Sequence, residues 1–130
     1  MEQKYLEFYR GEIYYADMNT VFSQRMTSLQ PVLVLLTDQG LYSCPTVLVA
    51  EARHTAHKPS QATHVMVEDA GGLPGNVVFR LEKPYPIDKR RLRGRAGKLT
   101  PRQMEEVDAA LRSHFYLEDG GCLPMEVEAP

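Results

Sequence analysis

Residues 28–36 read SLQPVLVLL: a polar loop end, a glutamine, a proline and then an unbroken apolar run. A short apolar run with turn residues on both sides is a buried strand, and Pro31 sits at its opening, where a missing backbone donor is tolerated. With this run as a strand, its neighbours fall into the same class. EIYYADM (12–18), after the Arg10-Gly11 turn, alternates and is rich in aromatics; TVLVAEA (46–52) is β-branched and apolar; THVMVE (63–68) follows a polar loop. DAGGLPGN (69–76) is a breaker cluster, and VVFRLEKPY (77–85) reads as a strand ended by the prolines at 84 and 86. Residues 19–30 read as a long loop, and the residues before Arg10 as a short helical lead.

The last element is a helix. Thr100-Pro101-Arg102-Gln103 supplies an N-cap, a first-turn proline and a capping-box glutamine. Met104, Val107, Leu111 and Phe115 then recur on one face, and the helix runs to about residue 116. Several short strands and one late helix, with no strand–helix alternation, predict a mainly β fold: an antiparallel sheet curled into a small barrel, with a C-terminal helix. One domain is expected over residues 1–117, followed by an acidic extension over 118–130.

The chain has 130 residues, 43% hydrophobic and 25% charged, enough for one domain with its own core. Its longest apolar run falls far short of the roughly 20 residues that span a bilayer, and its charged start, without an apolar h-region, is not expected to be a signal peptide. Cys44 and Cys122 lack metal spacing and read as free thiols of a reducing cytoplasm. His54, His57, His64 and His114 are scattered, so neither a metal nor another cofactor is expected.

The formal net charge of −2 conceals an asymmetry. Residues 80–102 carry nine Lys and Arg against Glu82 and Asp88, whereas residues 103–130 carry seven acids against Arg112. A basic segment of this kind attracts phosphates; alternatively it is a solvated loop balanced by the acidic helix that follows.

Three stretches in order resemble the PemK/MazF family, the toxin ribonucleases of type II toxin-antitoxin pairs. RGEIYYADM is similar to that family's opening strand, PVLVLL with CPTVLVAEA to its next two, and THVMV, LEKPYPIDKRRL and the final helix to its remainder. The similarity runs nearly without a break from Arg10 to about Leu117. It implies a src-homology-3-like curved sheet of five to seven strands and a homodimer with RNA in a groove at the interface. It also implies metal-independent cutting of single-stranded RNA. There the 2′-hydroxyl attacks the adjacent phosphorus and leaves a 2′,3′-cyclic phosphate and a 5′-hydroxyl. That chemistry needs a base, a donor for the leaving oxygen and positive charge at the phosphorane. A cognate antitoxin is implied as partner, with operator DNA touched only through the antitoxin complex.

The family pattern is broken where the chemistry lies. Gln30 stands in the place of an arginine that leads the family's catalytic candidates, and Arg53 in the place of a threonine. The preceding loop, SQRMTSLQ, lacks the family's acidic residue and both glycines. One branch of the family has an Arg-x-Asp pair before its I-D motif; here Arg80-Leu81-Glu82 occupies that position, with both charges on one face of the strand. Glu82 is then the candidate base, Arg80 the phosphate clamp and acid partner, and Arg53 and Arg25 replacements for the charge missing at position 30; alternatively Arg80 and Glu82 are an ion pair on an exposed sheet surface. Gln30 and Thr46 are candidate substrate contacts, Thr46 equally a structural residue. His64 reads as a half-buried strand residue whose one catalytic credential is titration near neutrality. Phe22, Tyr42 and Tyr85 are candidate stacking residues.

Three readings follow. The chain is a ribonuclease, impaired or with a shifted site. Or it is an inactive module that binds nucleic acid or an antitoxin and serves transcriptional autoregulation of its operon. Or the acidic tail folds over the basic 80–102 segment in imitation of an antitoxin or RNA.

Overall fold

The computed structural model describes residues 8–18, 29–36, 45–55 and 63–115. They hold six strands, one α-helix and a 3-10 turn at Lys89–Arg91: β1 (Glu12–Asp17), β2 (Leu29–Leu36), β3 (Thr46–His54), β4 (His64–Glu68), β5 (Asn76–Asp88), β6 (Leu92–Lys98) and α1 (Pro101–Phe115). They form one antiparallel sheet in the order β4-β5-β3-β2-β1-β6. The mainly β fold with a C-terminal helix is the one expected. The helical lead, most of the 19–30 loop and the acidic tail lie outside the described residues.

PVLVLL is unbroken because both of its faces are covered. Leu33 and Leu35 join the larger core with Ile13, Ala50, Phe79, Leu81 and, from α1, Val107. Val32 and Val34 face the other way, into a second cluster with Phe8, Ala16, Val47, Val49 and Ile87. The helix closes the larger core, with Val107 fully buried. Its expected cap is present in both directions: Gln103 N donates to Thr100 Oγ1 at 3.1 Å, and Thr100 N donates to Gln103 Oε1 at 2.9 Å. Phe115, expected on the buried face, is instead exposed at the helix end.

The curl brings the two ends of the sheet together. The turn between β4 and β5 lies against β6, where a Cβ on Gly72 would come 2.1 Å from the Ala96 carbonyl oxygen, and one on Gly97 would come 2.5 Å from Gly72 N. Only residues without side chains permit this approach.

Three strand expectations change. β2 begins at Leu29, so Gln30 and Pro31 lie within it, and its ladder with β3 starts only at Val32, opposite Glu51. The prolines at 84 and 86 do not end β5, which continues to Asp88. Its ladder with β4 stops where Arg80 faces His64, so the second half has β3 alone as neighbour, and an edge tolerates proline. The basic segment is no loop: residues 92–98, LRGRAGK, form an edge strand on β1. Charges and two glycines hide it from any hydrophobic pattern. Nor is its charge balanced mainly by the acidic helix. Arg93 pairs with the fully buried Asp17 at 3.2 Å, Arg91 donates to the Asp17 backbone carbonyl at 2.9 Å, and Arg90 pairs with Asp88 at 2.9 Å.

Candidate active site

Residues directly opposite each other in a sheet share a face, so the register alone defines a row. Val32 on β2 faces Glu51 on β3, Glu51 faces Arg80 on β5, and Arg80 faces His64 on β4. Gln30 is two residues before Val32, Arg53 two after Glu51 and Glu82 two after Arg80, so all three point the same way. The side chains meet on the face that carries the second apolar cluster.

At the centre is Glu51. Its Oε2 accepts from Gln30 Nε2 at 3.0 Å and from Arg53 Nη2 at 3.2 Å; its Oε1 accepts from Arg80 Nη1 at 3.2 Å. The second carboxylate, Glu82, lies 2.9 Å from His64 Nε2 and 3.8 Å from Arg80 Nη2, with Thr63 Oγ1 at 3.5 Å from its other oxygen. Burial pulls the Glu82 carboxyl upward, but the hydrogen bond from His64, a backbone hydrogen bond and the charges of His64 and then Arg80 outweigh it and hold the carboxyl below its ordinary range. Glu82 is therefore an anion at neutral pH and accepts from the imidazole. The contact turns the Nε2–H of His64 to Glu82 and leaves Nδ1 as the ring nitrogen that Glu82 does not engage.

Beside the row runs a cleft of about 250 Å³ lined by Asp17, Met18, Tyr85, Pro86, Ile87, Asp88 and Arg91. Tyr85 joins it to the row: burial and then the charge of Glu51 both raise the phenol. Its hydroxyl lies 3.8 Å from Met18 Sδ.

Of the residues expected at the site, Arg80, Glu82, Arg53 and Gln30 come together. Thr46 does not: it starts β3 opposite Asp88, at the far end of the strand from Glu51. Arg25 lies outside the described residues, as do Phe22 and Tyr42. Two members of the row carried no catalytic assignment in the sequence. Glu51 stands in the apolar run TVLVAEA, and its parity with Val47 and Val49 places it on the outer face. His64 is the half-buried strand residue its sequence context predicts, and it is also bonded to Glu82.

Residues 9–115 match the family described as the PemK-like, MazF-like toxin of type II toxin-antitoxin system. Endoribonuclease EndoA of Bacillus subtilis (strain 168) is 33% identical over 111 residues, spanning 85% of this chain and 96% of that protein. Among solved structures, an endoribonuclease in complex with its cognate antitoxin from a mycobacterial species superposes with a TM-score of 0.65 at 19% identity, over 84% of this chain and 95% of that one. The Mycobacterium tuberculosis toxin MazF-mt6 gives 0.62 at 24% identity, over 82% and 98%. At these identities the two structures speak for the fold. In the described residues no helix is long and apolar enough to cross a membrane.

Proposed function

The chain belongs to the PemK-like, MazF-like toxin family of type II toxin-antitoxin systems, and from that premise we propose that it cuts single-stranded RNA by attack of a ribose 2′-hydroxyl on the adjacent phosphorus. His64 Nδ1 takes the hydroxyl proton, while Glu82 holds the ring by Nε2–H and stabilises the imidazolium that forms. The freed oxygen bonds to phosphorus, the bond from phosphorus to the 5′-oxygen breaks, that oxygen takes a proton from water, and the hydroxide left behind takes the proton from the His64 imidazolium, which restores the base. Arg80 and Arg53 meet the charge on the phosphorane oxygens, and Gln30 adds a neutral donor. Tyr85, in the lining of the neighbouring cleft, offers a face for a base. The products are a 2′,3′-cyclic phosphate and a 5′-hydroxyl, formed without metal. Assembly as a homodimer, capture by a cognate antitoxin and operator contact through that complex belong to the same reading.

The observation that carries it is the meeting of two guanidinium groups with a carboxylate-held imidazole on one sheet face. Incubation of a long single-stranded RNA with the purified protein in EDTA, followed by characterisation of the product ends, tests it. Fragments ending in cyclic phosphate are expected. RNA left intact at high protein concentration removes the activity and favours the second reading, a non-cleaving module. That reading has its own support in the neutral Gln30 and in the hold of Glu51 on both arginines.

A further inference from the structure

Two cations in this row face two anions, and the pairing is uneven. Glu82 is engaged with His64 at 2.9 Å and stands 3.8 Å from Arg80, so it takes little of the guanidinium's hydrogen-bonding capacity. Glu51 takes both arginines, one on each oxygen. A carboxylate and a phosphodiester present the same feature to a guanidinium: two oxygens sharing one negative charge. The Glu51 side chain is 21% exposed against 58% for Arg53 and 36% for Arg80, so the carboxylate lies beneath cations that open outward. Ala50 and Ala52, its chain neighbours, are locked in the core, so Glu51 is fixed at its base and free to move only at its tip.

We infer that Glu51 is an internal competitor for the substrate phosphate: its carboxylate occupies the donors of Arg53 and Arg80 in the free protein and must yield them before a phosphodiester can be held. This rests on the proposed nuclease site. It makes Glu51 a positioning residue that lowers affinity for phosphate and leaves the resting site electrically balanced. A phosphate that binds exchanges one anion for another, so the protein favours substrates long enough to add contacts elsewhere, such as the Tyr85 cleft.

The bland alternative is a cross-strand ion pair that serves the sheet alone, and the two differ in what removal does. Glu51→Gln and Glu51→Ala leave only solvent-accessible arginines behind, so the fold is expected to persist. Titration with inorganic phosphate, and with a single-stranded oligonucleotide made uncleavable by 2′-deoxy substitution, should show about tenfold tighter binding in E51Q. The oligonucleotide's salt dependence should steepen by about 0.7 in log–log slope, one added phosphate contact on a single strand. Adding Arg53→Gln to E51Q should abolish the gain. In the parent protein, saturating inorganic phosphate should move the Glu51 carboxyl carbon and the Arg53 and Arg80 Nε resonances together. Unchanged or weaker binding of both probes in the folded variants overturns the inference, and so does phosphate that binds the parent without moving the Glu51 resonance. Neither phosphate readout needs cleavage. A protein that gains phosphate affinity in E51Q yet never cuts RNA loses the nuclease reading alone, and one that cuts RNA without that gain loses only the role of Glu51.

Discussion

His64 Nε2 and Glu82 Oε2 are 2.9 Å apart across the β4–β5 ladder, the shortest polar contact in the row. Acting as a unit, they should fail as a unit. Glu82→Gln and His64→Asn are each expected to lower the cleavage rate by about 10²–10⁴, and the double variant should be little worse than either single one. Single-turnover rates on one RNA, with circular dichroism to verify folding, measure this. Additive losses would separate the two side chains.

The depressed Glu82 carboxyl has a consequence for stability. A carboxylate whose folded-state pKa lies below its unfolded value adds stability that is fully present above about pH 4.5 and is lost as pH falls through the lower folded value. Denaturant unfolding of the parent and of E82Q should therefore differ most at neutral pH and converge toward acid. A gap that widened on acidification would assign the wrong sign to the shift.

Gln30→Arg places a guanidinium where the amide now lies 3.0 Å from Glu51 Oε2. The new cation should engage Glu51 and release Arg53. Single-strand binding should tighten with a steeper salt dependence. Cleavage should rise at least about tenfold, since one oriented donor is worth about two to three powers of ten. Binding that tightens while the rate stays flat would place the guanidinium off the reacting phosphate.

The glycines at the closure of the sheet are unequal. Gly72→Ala drives a methyl into the Ala96 carbonyl, whereas Gly94, on the same edge strand, has nothing within 4 Å of an added Cβ. Overpacking against backbone is expected to cost G72A about 1–3 kcal/mol, with G94A near neutral. Chemical denaturation compares them directly.

Loss of the helix cap gives a calibration away from the site. Thr100→Ala removes the acceptor for Gln103 N and should cost about 1 kcal/mol with RNA cutting unchanged.

The β runs and the capped helix were legible because burial writes itself into sequence: Val32 to Leu35 are apolar in succession since the sheet is covered on both sides there. β6 was not, because an edge strand with one ladder neighbour, closed in part by a glycine turn packed on its backbone, needs no apolar alternation, and LRGRAGK shows none. The end of β5 was misjudged for a related reason, since proline halts a strand only where a second neighbour requires its N–H. At the candidate site, the resemblance to a family branch with an Arg-x-Asp pair points to Arg80 and Glu82, and strand alternation puts both on one face. Glu51 and His64 acquire meaning only from register, because Glu51 meets Arg80 across strands joined by residues 55–75, and no local pattern encodes that meeting.

Strand β1 bonds β2 on one side and β6 on the other, pairing Glu12 with Lys98. Among the described strands, the first made by the ribosome thus waits for the last. Contacts this remote in sequence raise contact order and slow folding. At synthesis rates of roughly 5–20 residues per second, the nascent chain carries an incomplete sheet for several seconds. For a protein whose proposed target is RNA, closure of the sheet and completion of the site are separate events: the last member of the row, Glu82, is translated ten residues before β6 begins, so β6 adds the sheet's edge and not a group of the proposed site.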